Sequence, residues 1–406
     1  MVNILSPHTL RRAALHHQGL TRPAPFGKGR QATKKALDQL GYVQIDTLSV
    51  VERAHHHTLW TRIPDYQPAH LEQLIEKREA FEYWSHAAAF LPMNSYRFAL
   101  PRMNTVKRGE SRWFASVSAD AEQQVLERIR IDGPLRARDF DSAKEQPGSW
   151  WNWKPAKKAL EKLFFQGDLM VSSRDGMQKV YDLRERVLPA TVDTREPSLH
   201  EYAEHLLDAS LKAHGFTTPK QITHQRQGAD LRRVIPALLK ERIAQGTLTQ
   251  FKIDGLPPVF AAPDLLERRY PSFTPTVRLL SPFDNAVIHR ERVLQLFDFD
   301  YKIECYTPQA KRRFGYFCLP LLYLDGESAM IVGRVDCKAN RVNRHLELVH
   351  LHLETPIADE ERFLFAFGKA MREFAAFNAC DVVHATKVSA ARSSTTAWLE
   401  RIRRVL

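Results

Sequence analysis

Residues 122–134 read EQQVLERIRIDGP, 135–140 LRARDF, 154–167 KPAKKALEKLFFQG and 168–183 DLMVSSRDGMQKVYDL. The first run has helical periodicity and is stopped by Gly133 and Pro134. The second is a short helix, and the third a longer basic helix stopped by Gly167. The fourth reads as two strands around an Asp175-Gly176 turn. Helix, helix, longer basic helix, hairpin is the order of a winged helix-turn-helix unit. Leu160, Leu163 and Phe164 share one helical face and are expected in its core, with Lys154, Lys157, Lys158 and Lys162 on the others.

A similar order recurs on both sides of this unit. Downstream, HEYAEHLLDASLKAHGF, TPKQITHQ and GADLRRVIPALLKERIAQG supply the helices, and TLTQFKIDGLPPVFAA the strands. Pro236 is expected to kink the longest of these helices or to mark its true start. Upstream, SPHTLRRAALHHQG is a helix with Ser6 as N-cap, QATKKALDQLG a second, and a third helical region begins near Ser49, where Ser49 and Glu52 fit a capping box. FEYWSHAAAFLP is expected to supply the wing strands. After Pro271 short apolar runs such as TVRLLSPF, FGYFCLPLLYL and HLELVHLHLE point to antiparallel strands, followed by one amphipathic helix. The expected fold is α+β: winged-helix units at 1–115, 116–190 and 191–272, then a small antiparallel β-barrel with a C-terminal helix at 273–406.

Of the 406 residues, 59 are Lys or Arg and 47 are Asp or Glu, a net charge of +12 that favours a polyanionic partner, nucleic acid being the commonest. No apolar run approaches the length of a membrane span and no secretory signal is visible, so a cytoplasmic location is expected. The four cysteines lie far apart, which argues against a zinc ribbon, an iron–sulfur cluster or a disulfide framework and suggests small buried apolar residues. The triplet His55–His57 cannot place three imidazoles on one ion from a helix, where successive side chains diverge by about 100°. These histidines are expected at the surface or facing DNA. No metal and no cofactor is expected.

The stretch YVQID places Val43 and Ile45 on one strand face and Gln44 and Asp46 on the other. A carboxamide can orient a water, and a carboxylate can take its proton or stabilise positive charge beside it. A solvated strand face, or a carboxylate capping a turn, explains the same pair without chemistry. Tyr83, Trp84 and His86 stand in the neighbouring wing, with Trp84 and His86 expected on one face, and are possible neighbours of the pair. Trp150, Trp151 and Trp153 suit a hydrophobic staple and core anchor. Basic residues interleaved with aromatics mark candidate DNA contacts at Arg97, Arg102, Lys107, Arg108 and Arg112, and at the turn holding Lys311, Arg312 and Arg313, where ordinary charged loops are the alternative.

The stretches VQIDT, EYWSHAAAFLP, GSWWNWKP, KVYDLRERVLP, LSPFDNAVIHRERVLQLFDFDYKIECYTP and RRFGYFCLPLLY together resemble the crosslink-repair DNA glycosylases of the YcaQ/AlkX type, relatives of the glycosylase that resists azinomycin. The resemblance spans most of the chain in order. It implies three winged-helix units and a β-barrel in a C-shape around duplex DNA, and a Gln-aliphatic-Asp active-site motif at Gln44, Ile45 and Asp46. It further implies hydrolysis of N7-alkylated purines and unhooking of interstrand crosslinks. With no lysine beside the motif, a monofunctional enzyme is expected. The competing expectations are a non-enzymatic winged-helix regulator and, with no acidic cluster of suitable spacing behind it, a metal-dependent nuclease. A monomer is expected, since three linked DNA-binding units already give a long footprint.

Overall fold

The computed structural model describes residues 4–140, 153–226, 229–253, 255–270, 272–326, 328–390 and 395–406, with the side chains of 4, 153–155 and 395 left aside. Trp150 and Trp151, the side chain of Trp153 and that of Lys154 lie outside the described residues, and the expected tryptophan staple falls there with them.

The chain begins with β1 (Ile4–Leu5) and α1 (Pro7–His17), the latter capped by Ser6, whose hydroxyl accepts from the Thr9 amide at 3.1 Å. Helix α2 (Gly29–Leu40), strand β2 (Val43–Gln44), helices α3 (Ala54–Trp60) and α4 (Pro68–Glu76), and the hairpin β3 (Ala80–Trp84) and β4 (Ala88–Pro92) follow. The three strands form a sheet in the order β2-β4-β3, packed on an apolar core from α2 to α4 that includes Leu37, Leu40, Val43, Ile45, Leu59 and Leu74. Helix α1 is not part of this core. Its Leu10, Ala13 and Ala14 pack with Phe216, Phe251 and Ile253, and β1 pairs in parallel with residues 252–253. The helices that share a core with this sheet are therefore α2, α3 and α4, and α1 packs elsewhere, which its local periodicity could not signal.

Helix α5 (Leu100–Lys107) leads to α6 (Ala119–Asp132), β5 (Leu135–Arg136), a 3-10 turn over Ala137–Phe140, α7 (Trp153–Phe165), β6 (Leu169–Asp175) and β7 (Gln178–Leu183). The short second helix is thus a two-residue strand and a 3-10 turn. The sheet runs β5-β7-β6, and Gly176 supplies the left-handed residue of the turn, φ 59°. Leu160 and Leu163 join Val125 and Ile129 in its core, while Phe164 faces the first unit.

After the short α8 (Arg184–Val187) come α9 (Leu199–His214), β8 (Phe216–Thr217), α10 (Pro219–Ile222), α11 (Ala229–Ala244), β9 (Thr249–Ile253) and β10 (Leu256–Ala261). Helix α9 starts with a Ser198–Glu201 capping box and ends at Gly215, φ 78°. Helix α11 runs through Pro236 without stopping. The sheet here is β1-β9-β10-β8.

The last part holds β11 (Thr276–Leu279), α12 (Arg290–Phe297), β12 (Cys318–Leu324), β13 (Ala329–Asn340), β14 (His345–Leu353), α13 (Glu360–Phe377), β15 (Val382–Ala385), β16 (Val388–Ala390) and α14 (Thr395–Val405). Strands β11 to β14 are an antiparallel meander, but β15 and β16 both run parallel to β14. Among the described residues no pairing joins β11 to β15, so the ladder is open and mixed, unlike the antiparallel barrel expected. Helix α13 is the reason: it carries the chain back across the sheet, and a return of that kind sets the next strand parallel. Strand β12 is buried along its whole length. Leu319, Leu321 and Tyr323 face the α13 layer, and Leu322 and Leu324 face a second core with Phe299, Tyr301 and α1's Leu15.

Charged groups join these parts. Arg62 and Asp284 are both 0% exposed and make a bidentate pair at 2.7 and 2.8 Å. Arg62 also donates to the carbonyls of Gln18 (2.7 Å) and Thr58 (2.8 Å). Glu82 of β3 is likewise buried and pairs with Arg174 at 2.7 Å and Lys179 at 2.9 Å from β6 and β7. Removing one member of such a pair strands a buried charge. Asp284→Ala is expected to cost about 3–5 kcal/mol, and Arg62→Met with Asp284→Leu clearly less. Urea melts of the two variants check this; equal losses would show that the pair is not the joint.

Candidate active site

Gln44 lies opposite Ala89 in the β2–β4 ladder, and the Ile45 amide donates to the Ala88 carbonyl at 2.8 Å. Val43 and Ile45 are therefore held in the core, and the polar residues between and after them are turned the other way. The β3–β4 turn, closed by the Ser85 amide on the Ala87 carbonyl at 2.9 Å, brings His86 back over β2. His86 Nε2 lies 3.1 Å from Gln44 Oε1. Burial above all, helped by His224 and Arg226, pushes the His86 pKa down to about 4. The ring is neutral near pH 7, and as the Nε2–H tautomer it donates to the Gln44 oxygen, an assignment that rests on the hydrogen-bond pattern. That bond leaves the two Gln44 amide hydrogens for whatever enters the site. Arg226 holds the turn from the third part of the chain, donating to the Ser85 hydroxyl at 3.3 Å.

Asp46 stands where the chain leaves this small sheet for the large one. Its Oδ1 accepts from the Leu48 amide at 2.8 Å, while Val51 and Ala54 pack in the core of the C-terminal sheet and Val50 receives a backbone bond from Ala339. The carboxylate thus does cap a turn. The Ser49–Glu52 capping box does not form: α3 begins only at Ala54, and Glu52 accepts instead from the Arg53 amide and pairs with Arg341 at 3.0 Å. Burial raises the Asp46 pKa above the ordinary aspartate range, and the Leu48 bond opposes it. Its charge reaches Cys305 and Tyr306, the latter 77% exposed. Glu304, next to both, accepts from the backbone amides of Arg313, Phe314 and Gly315 at 2.7–3.1 Å and so fixes the basic loop against them.

Two cavities flank this pair. One, of about 960 Å³, has Gln44 and His86 in its wall together with His224, His289 and Tyr306. The other, an open groove of about 1040 Å³, starts at Thr47–Val50 and is lined by Arg312, Arg313, Lys338, Lys387 and His350.

The structure separates the other residues singled out in the sequence. Tyr83 is buried, donates to the Phe165 carbonyl at 2.6 Å and packs with Phe164; it shares Gln44's sheet face but stands two strands across from it, with Ala89 between. Trp84 joins the same cluster beneath Arg102, whose guanidinium lies 5.0 Å from the indole. His86 occupies the turn and does not share Trp84's strand face. Arg97 is spent on Asp193 (3.4 Å) and Glu201 (3.1 Å), Lys107 on Asp168 (2.9 Å) and Arg108 on Glu110 (2.6 Å). Arg112 is exposed beside an equally exposed Trp113. Lys311 and Arg313 are exposed, and Arg312 stacks on Tyr316 at 4.8 Å. His55 and His57 are buried rather than superficial: His57 bonds the Leu279 carbonyl at 2.8 Å, and His56 the Tyr66 hydroxyl at 2.7 Å. Residues unmarked in the sequence reading complete the site, namely His224, Arg226, His289, Arg292 and Lys387. They fall in three separate segments, 224–226, 289–292 and 387, and only the tertiary fold gathers these. Among the described residues no cluster of three or more His, Cys, Asp or Glu could hold a metal, and no helix is long and apolar enough to cross a membrane.

The fold is similar to that of the DNA glycosylase AlkZ of Streptomyces sahachiroi, with a TM-score of 0.60 over 96% of this chain and 100% of that one, at 15% sequence identity. The family model described as DNA glycosylase AlkZ-like matches residues 37–377, from the end of α2 to the end of α13, and so takes in Gln44, Asp46, the lining of the first cavity and all of the second except Thr386 and Lys387. The chain belongs to the AlkZ-like DNA glycosylase family.

Proposed function

We propose that this DNA glycosylase hydrolyses the N-glycosidic bond of N7-alkylated purines, including those tethered in interstrand crosslinks, and leaves an abasic site. The observation that carries the reading is the placement of Gln44 and Asp46 between a basic groove and a half-open chamber, with Gln44 locked by a neutral histidine. An N7-alkylated purine is already cationic and departs as a neutral base, so no general acid is needed. What the reaction needs is a negative group beside the sugar as it becomes an oxocarbenium ion, and a water held at the anomeric carbon. Asp46 answers the first need. The Gln44 amide hydrogens hold the water oxygen while Asp46 takes the proton.

The groove beginning at Thr47 is read as the path of the lesion strand. Lys338 and Lys387 are both exposed there, in a groove that is also lined by Thr47–Val50, the residues directly after the candidate catalytic carboxylate. The helix-and-hairpin parts are read as winged-helix units, the first drawn from α2 to β4 and the third sharing its sheet with β1. Together with the C-terminal sheet they form a C-shaped, monomeric clamp on duplex DNA. A sequence-reading regulator is the lesser alternative, because its chemistry has no use for a carboxamide clamped beside a desolvated carboxylate.

Asp46→Asn is expected to lower single-turnover release of 7-methylguanine by about 10²–10³-fold at unchanged duplex affinity, and Gln44→Ala by a similar order. In the wild type the rate should rise with pH through an inflection above the usual aspartate value, because burial raises the folded pKa and the ionised form is the active one. Equal rates in Asp46→Asn would remove the carboxylate from the mechanism. Borohydride added during turnover should trap no protein–DNA adduct, and a trapped adduct would make the enzyme a lyase. Lys338→Ala and Lys387→Ala should each flatten the slope of log affinity against log salt by about one, and unchanged slopes would move the strand path elsewhere.

A further inference from the structure

The chamber on the Gln44 side carries an electrostatic oddity. Arg292, from α12, is 3% exposed and lines it, yet among the described residues no carboxylate pairs with its guanidinium. Nη2 donates to Gln221 Oε1 at 2.8 Å, while Nε and Nη1 are buried without a partner. The neighbouring Glu291 is engaged with Lys220 at 2.5 Å. A buried, uncompensated cation is costly and is usually tolerated for a reason. Around it stand imidazoles: the His224 and His289 rings are 4.2 Å apart, and His86 and His224 are 5.9 Å apart. Burial first, then the charge of Arg292, lowers the basicity of His224 and His289, so these rings face the chamber neutral. Pro258, Phe260 and the exposed Tyr306 give it flat apolar surfaces. Its volume, about 960 Å³, is at the upper end of cavities that bury drug-sized ligands, so it holds more than a bare purine.

We propose that this chamber receives the departing alkylpurine with its adduct, and that the Arg292 charge behind its wall favours the neutral base over the cationic one. This rests on the glycosylase reading above. In the step, the C1′–N9 bond breaks and its electron pair passes to the purine, cancelling the positive charge that the N7-alkyl group created. The sugar becomes cationic on the Asp46 side, water adds its oxygen at C1′, and the water proton leaves through Asp46. Positive charge therefore moves away from Arg292 and towards Asp46. A fixed cation on the base side and a fixed anion on the sugar side both favour that direction. Arg292 is a positioning residue of the field and not a group that touches the reacting atoms.

Three variants of the full chain test this on a duplex carrying one 7-methylguanine. Ala87→Trp fills the chamber from the hairpin turn. It should slow base release and abolish inhibition by free 7-methylguanine, with undamaged duplex bound as before. Arg292→Met should lower the single-turnover rate by on the order of tenfold at unchanged duplex affinity, while Arg292→Lys, which keeps the charge, should stay near wild type. A folded Ala87→Trp that releases base at the wild-type rate overturns the chamber's role. Arg292→Met within twofold of wild type, or a Lys variant as slow as the Met one, overturns the role of the charge. Should Arg292→Met fail to fold, Ala87→Trp still decides the chamber, and Arg292→Gln takes its place for the charge under the same twofold limit. If the wild type itself releases nothing, the glycosidic reading of the site falls first. If it is active and the variants match it, only this inference does.

Discussion

Everything at the site depends on a salt bridge that no water reaches. Arg62 closes α3, and Asp284 opens the segment leading into α12, so their bidentate contact fixes the first unit against the C-terminal part. The cost of desolvating both ions is offset because each also finds further partners: Arg62 the carbonyls of Gln18 and Thr58, Asp284 the amide of Ala286 at 2.8 Å. The next residue, Asn285, donates to the Tyr42 carbonyl at 3.1 Å, two positions before Gln44. One buried joint thus aligns the strand with Gln44 and the helix with Arg292, and neither wall of the chamber is placed without the other.

Gln44 and Asp46 are adjacent in sequence but belong to different supports. Gln44 is fixed by the small sheet and His86, whereas Asp46 hangs at the crossing to the large sheet, held by its own turn. A carboxylate that caps a turn loses freedom, which is useful in a site that must act without first reorganising. The structural duty and the proposed chemical one are therefore compatible: Oδ1 is engaged by Leu48, and the second oxygen remains for the proposed chemistry.

Periodicity made most helices and hairpins legible, because Leu160, Leu163 and their equivalents repeat at helical spacing and Asp175-Gly176 is a strong turn signal. It could not show which helices pack together, and α1 was misplaced for that reason. The parallel β15 and β16 were hidden as well, since strand direction is set by the return of α13 and not by composition. At the site, the alternation of YVQID correctly put Gln44 and Asp46 opposite the core. The same alternation failed for Trp84 and His86, because the turn breaks the strand between them. Basic residues in a loop said little about DNA: Arg97, Lys107 and Arg108 meet acids that lie up to about a hundred residues away in sequence.

The pairing of Ile4 and Leu5 with Lys252 and Ile253 has a consequence for how the chain is made. Being synthesised well before β9, β1 and α1 find their sheet only after it has emerged, some two hundred and fifty residues later. Until α9 and β8 have emerged the apolar face of α1, with Leu10, Ala13 and Ala14, has no native partner. The second unit is contiguous in sequence and can close as soon as β7 is out, so order of synthesis and order of folding part company at the N-terminus. Contacts of such long span are closed late and slowly, which makes the nascent N-terminal helix the segment most exposed to chaperone capture.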